Sequence, residues 1–339
     1  MPGGQERVLR RRIKSVQSTK KITRAMELIA ATRIVKAQQR VLAARPYADQ
    51  ITTVIRSLAA SGAGAGQPLL TARDNVNTVA YVVVAGDRGL AGAYNSSVIR
   101  LAERALQADV AKGRKYVLIC VGKKVEDYFR FRGYTIDQTF RGFSESPSYE
   151  DARRVAQSIV PRFDAGEIDS VELAYTQFLS AGSQRSTLRR FMPIELGDTS
   201  GESSGEGGAG AGAGYEFEPE PGVILSSLLP RYVESRLFAA LLDSAASEHA
   251  GRQRAMKSAT DNAGEIIKSL SRKMNEARQA SITTEIMEIV GGAEALKSSG
   301  ASKTDLLADN INATEIFGAR NPTHSHTHSQ THSHAYQAD

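Results

Sequence analysis

Side chains with chemical capacity are few in this chain, and they are scattered. The loop "GDRGLAG", Gly86–Gly92, follows an apolar run, and a Gly-rich turn after a strand can cradle a phosphate. Its spacing fits neither the dinucleotide fingerprint GxGxxG nor the P-loop GxxxxGK, and no acidic ribose partner is placed for it. Asp87, Arg88 and Gly89 are therefore expected to shape a turn. The single cysteine, Cys120, sits in "YVLICVG", the setting of a buried strand residue rather than a reactive thiol, and no internal disulfide can form. His324, His326, His328, His332 and His334 alternate with Ser and Thr near the C-terminus and could hold zinc, nickel or copper weakly. His249 reads as a packing or surface residue of a long helix. The stretch "ARQASITTEIMEIVGGAEAL", residues 277–296, is helical by composition but holds neither a nucleophile–base pair nor a metal set. No cofactor, resident metal or catalytic residue is expected.

Such sparse chemistry turns attention to the elements. The chain has 339 residues, enough for about two structural units, with 41% hydrophobic and 24% charged residues and no Trp. A real core is available, but large aromatic stacking pockets are not. Net charge is +6, and residues 1–45 carry twelve Lys or Arg against Glu6 and Glu27. That end prefers an acidic partner, whether nucleic acid, anionic lipid or a protein surface. The N-terminus lacks the apolar core of a signal peptide, and no window approaches the 18 or so apolar residues of a membrane span. A soluble or peripheral protein of a reducing compartment is expected.

Gln5–Ser61 contains no Gly and one Pro, with apolar residues at helical spacings: Leu9, Ile13, Val16, then Ile22, Met26, Ile29. This predicts one very long helix, with Pro46 as a point of kinking. Residues 1–61 are assigned to it and 62–77 to a Gly-rich linker. Residues 78–196 alternate strand-like and helix-like runs, which predicts a mostly parallel sheet covered by helices. Residues 197–222 are rich in Gly, Ser and Glu and read as a flexible loop. A second long helix is assigned to 223–296, followed by a polar His-rich tail, 297–339, expected to be disordered. The fold class is α/β: a long antiparallel coiled coil of N- and C-terminal helices plus a Rossmann-like α/β domain.

Met256, Ala259, Ala263, Ile267, Leu270, Met274 and Ala277 recur every three or four residues, the seam of a coiled coil. The first long helix is the partner that chain connectivity supplies. Pairing from a common base exhausts that partner near residue 280, so the last turns of the second helix are expected to overhang it. Ile282, Ile286, Ile289, Val290 and Ala293 also sit roughly 130° round the helix from the earlier seam. A new apolar stripe begins where the partner stops, and such a stripe needs burial by other chains.

Three separated motifs then resemble the gamma subunit of F-type ATP synthase: "RRRIKSVQSTKKITRAMELIAATRIVKAQ", "GDRGLAGAYN", and "AMKSATDNAGEIIKSLSRKMNEARQASITTEIMEIVGGAEAL". The resemblance covers most of residues 1–296. It implies a non-catalytic central shaft, one copy per complex, inside a hexamer of alpha and beta subunits. Its foot would bind the epsilon subunit and a membrane ring of c subunits. Proton flow would turn ring and shaft, and catalysis would belong to beta. By position, Arg278, Gln279, Thr283 and Glu285 fall where the family's C-terminal helix meets beta loops. Met26 falls on the facing N-terminal helix. Ile282, Ile286 and Ile289 complete the set as an apolar bearing, and Asp87, Arg88 and Gly89 belong to the foot.

The rival readings are an enzyme with a nucleotide in the α/β domain and a basic coiled coil that binds nucleic acid or acts as a scaffold. The first lacks a phosphate motif. The second would show steeply salt-dependent DNA affinity; the resemblance instead explains the basic end by acidic loops of neighbouring subunits, with no nucleic acid. The absence of a transit peptide and of a paired-cysteine insert points to a bacterial version, peripheral on the cytoplasmic side of the cell membrane.

Overall fold

A computed structural model describes residues 2–64, 66–195 and 218–299. The His-rich tail beyond residue 299 and most of the Gly/Glu-rich loop, 196–217, lie outside the described residues. The chain divides into two compact units, one formed by Gly4–Asn275 and one by Met1–Gly3 with Glu276–Asp339.

In the larger unit, five strands form one sheet: β1 (Thr78–Val84), β2 (Lys115–Val121), β3 (Gln138–Phe140), β4 (Ser170–Phe178) and β5 (Gln184–Met192), in the order β3-β2-β1-β4-β5. The β1–β2, β1–β4 and β2–β3 pairs are parallel; β5 returns antiparallel along β4. β1 is buried on both faces, as its unbroken apolar run "VAYVVV" requires of a central parallel strand. Helices α2 (Tyr94–Ala111) and α3 (Lys123–Phe131) cover one face, where Val98, Ala102, Leu106, Val125 and Phe129 pack on Val79, Tyr81 and Val83. Cys120 is buried in that layer, and burial pushes its thiol up to about 12, the state of an inert core residue.

The other face carries α4 (Tyr149–Gln157), α5 (Val160–Asp164) and segments of the two long helices, α1 (Pro2–Leu58) and α6 (Pro221–Ser299). Ile51, Ile55 and Leu58 of α1 and Leu225, Leu229, Val233, Leu237 and Leu241 of α6 pack there with Ala80, Val82 and Val84 of β1. The run "SYEDARRVAQSIVPRF" forms two helices rather than one: Pro161, at the start of α5, has no N–H to continue α4. Strand β3 has only three residues, too short to show periodicity, and was not foreseen.

Away from the sheet, α1 and α6 run antiparallel within this unit. Thr23 and Thr260 hydroxyls meet at 2.8 Å, and Gly264 faces Lys20. The buried line on α6 includes Met256, Thr260, Ala263 and Leu270, close to the predicted seam. The buried line on α1 does not follow its apolar spacing. Ile13 is buried, but Ile22 and Ile29 are exposed, and Glu27, Ala30, Ile34 and Ala37 take the inner positions. Helical spacing of apolar residues located a stripe one position off, because small or polar residues occupy the closest-packed points of the contact.

Candidate functional site

Except for Met26, the residues expected to contact the alpha and beta subunits are on the helical stretch of the smaller unit. From Ile282 to Leu296 every residue is exposed, including Ile282, Ile286, Met287, Ile289, Val290 and Leu296. So much apolar area left in water is the signature of a surface covered by another chain. Thr283 and Glu285 lie in this exposed stretch and Arg278 and Gln279 are exposed just before it, and none of their four side chains has a hydrogen-bond or ion-pair partner among the described residues. Gly291 and Gly292 have open space around them. Met26 belongs to the larger unit, half-buried on α1.

The loop after β1 is organised by Asp87. Its carboxylate accepts the backbone N–H of Lys123 at 3.0 Å, of Gly142 at 2.9 Å and of Ser144 at 3.2 Å, while its own N–H donates to Ser144 Oγ at 2.9 Å. Lys123 opens α3, so a helix N-terminus and a turn that could have received a phosphate already hold the protein's own anion. Asn95 secures the other side, accepting from Gly86 N and donating to Arg88 O. The turn expected of Asp87, Arg88 and Gly89 is thus a closed hydrogen-bonded structure. Leu90 beside it has φ of 64° and an exposed side chain.

A cluster the sequence did not flag lies next to this loop. Glu145, on the loop between β3 and α4, is approached by three arginines: Arg33 of α1 by a short hydrogen bond, Arg88 of the β1–α2 loop at 3.6 Å, and Arg252 of α6 at 3.4 Å. Arg252 also donates to the fully buried Glu248 at 2.5 Å. His249 Nε2 donates to the Glu145 carbonyl at 3.0 Å, and Arg40 donates to Ser146 Oγ and the Pro147 carbonyl. Burial raises the Glu248 carboxyl above the usual carboxylate range against the pull of Arg252, and burial lowers the His249 imidazole below its ordinary value. The available signal was Glu248–Arg252 at i,i+4 within a stretch of small and apolar residues. A pair of that spacing is ordinarily solvated, and nothing local marks this one as buried.

Comparison with known proteins agrees with this architecture. A family model described as ATP synthase matches residues 5–296. An ATP synthase gamma chain of Frankia casuarinae is 51% identical over 299 residues, covering 87% of this chain and 99% of that protein. The chain belongs to the ATP synthase gamma family. The gamma chain of Streptomyces coelicolor is 44% identical over 303 residues, with 88% of this chain and 98% of that one covered. Among solved structures, a chain of the Euglena gracilis mitochondrial ATP synthase superposes with a TM-score of 0.61 at 18% identity, covering 90% of this chain and 98% of that one. One from the Tetrahymena thermophila central stalk gives 0.54 at 22%, covering 70% and 99%. These two establish the shared fold of α/β sheet and long helices. As a gamma chain, the protein is a subunit of an ATP synthase complex. The nucleic-acid reading finds no support in these relatives. Among the described residues no helix is long and apolar enough to cross a membrane, and no group of His, Cys, Asp and Glu could hold a metal ion.

Proposed function

We propose that this gamma chain is the central rotor of a proton-driven ATP synthase, present once per complex. In this reading residues 1–61 and 223–296 form the shaft, 62–77 a linker and 78–196 the foot. The shaft turns within a hexamer of alpha and beta subunits, and the foot is held by the epsilon subunit and the c-ring on the cytoplasmic face of a bacterial membrane. The observation that carries the reading is the match to ATP synthase gamma chains over nearly their whole length. Catalysis belongs to beta; this chain supplies no catalytic residue and no cofactor site.

Coupling requires that each rotor angle have different contact energies with each state of a beta subunit. Ile282, Ile286 and Ile289 give non-directional contact that tolerates rotation. Arg278, Gln279, Thr283 and Glu285 supply hydrogen bonds whose strength depends on angle, with Met26 as a further contact on α1. The exposure of Arg278, Gln279, Thr283 and Glu285, and the lack of partners for their side chains among the described residues, support this assignment. A gentle membrane extract should bring alpha and beta subunits down with the chain. In that complex, Gln279→Ala with Glu285→Gln should lower coupled ATP synthesis while leaving the melting of the free chain within about 0.5 kcal/mol of the parent, as for any exposed site. Recovery of the chain free of both subunits would refute the rotor reading; undiminished synthesis in the variant would refute the residue assignment.

A further inference from the structure

The loop at residues 141–148 is gripped from three elements. Arg33 and Arg40 reach it from α1, His249 and Arg252 from α6, and Asp87 and Arg88 from the loop after β1. Among the described residues, Glu145 is the carboxylate that Arg33, Arg88 and Arg252 share. From the arrangement of these charges we infer that Glu145 is the joint through which torque passes between the shaft helices and the foot. This inference rests on the rotor reading above.

The apolar contact of α1 and α6 with the sheet opposes separation, but burial and dispersion are indifferent to direction and resist twisting poorly. Charge-assisted hydrogen bonds have preferred lines of approach; Arg252 is buried and its pairs are only weakly screened, while Arg33 and Arg88 reach Glu145 from the solvent side. A charged cluster of this kind is a poor device for stability alone, since its exposed pairs contribute little and apolar side chains would serve as well or better in place of the buried Arg252–Glu248 pair. Its satisfaction is also incomplete: Glu248 Oε2 and Arg252 Nη1 are buried without a hydrogen-bond partner. What the cluster does provide is angular register among two helices and a loop. Without the Glu145 charge, three arginines converge on a neutral group, and the joint loses its centre while the apolar packing stays. Glu145 is thus a positioning residue, acting through the arginines rather than on substrate.

The test uses the whole complex in inverted membrane vesicles. With Glu145→Gln, ATP hydrolysis by the detached hexamer and shaft, where the foot bears no load, should remain within about twofold, a small change in barrier. ATP-driven proton pumping, which must carry torque through the foot, should fall several-fold, and Glu145→Asp should recover much of it. In single-molecule recordings, a bead on the foot should show a broader angular spread in Glu145→Gln while the hexamer is stalled. A merely structural role would lower hydrolysis and pumping together and leave the spread unchanged, and either result overturns the proposal. If Glu145→Gln fails to assemble, Arg88→Gln, which removes only one exposed arm, decides: pumping lost with hydrolysis kept supports the joint, and pumping retained refutes it. Absence of pumping in the unsubstituted complex would instead refute the rotor reading.

Discussion

His249 shows how an ionisable group can shape this chain without doing chemistry. Its Nε2 donates to the Glu145 carbonyl, its Nδ1 is buried without a partner, and burial favours the neutral ring. The unfolded chain takes up a proton near pH 6.5 while the folded chain does so only at lower pH, so the protonated unfolded state gains as pH falls below that value. Stability from this residue is therefore present above about pH 6.5 and lost on acidification. Glu248 works in the opposite sense, because its raised value means the folded state binds a proton first. In His249→Gln, which keeps a donor near the Nε2 position, the fall in melting temperature between about pH 7.5 and 5.5 should shrink or reverse. An unchanged slope would show that His249 does not titrate on unfolding. The sequence left His249 as either a packing or a surface residue, and its partner was not legible, since 104 residues separate it from Glu145.

Two glycines of α6 make opposite predictions. A Cβ on Gly251 would lie 2.7 Å from the Ala91 carbonyl oxygen, backbone that cannot easily withdraw, whereas one on Gly264 would meet only the flexible end of Lys20 at 3.2 Å. Gly251→Ala should therefore cost about 1–3 kcal/mol by overpacking. Gly264→Ala should be neutral, or stabilising by up to about 1 kcal/mol through helix propensity. Denaturant midpoints of the two variants measure the difference, and equal midpoints would refute the close approach at Gly251. The long helices and the parallel sheet were readable because each has a single dominant period or an unbroken apolar run. Which residues of α1 face inward was not legible, since Ala30 and Glu27 are buried there while Ile22 and Ile29 are not. The loop at 141–148 was passed over because it has no periodicity, and its charges acquire meaning only when α1, α6 and the β1 loop converge on it.

At the scale of the two units, the contrast is between an exposed helical stretch with unpartnered side chains among the described residues and a larger unit in which Arg33, Arg88 and Arg252 converge on Glu145. The first has the features of a surface completed by other subunits, and the second those of a body that holds its shape under load. The exposed stretch was legible as a helix from its composition, and the coupling role of Thr283 and Glu285, both exposed in the structure, rests on the resemblance. The foot loop was legible only as a turn, and the structure adds that Asp87 fills the place a phosphate would take. The most direct measurement is to assemble the chain with its alpha and beta subunits on a fixed support, attach a probe to the foot, and supply ATP. The account predicts that the probe turns in one direction for as long as ATP is hydrolysed. Hydrolysis at an undiminished rate with a stationary probe would contradict it.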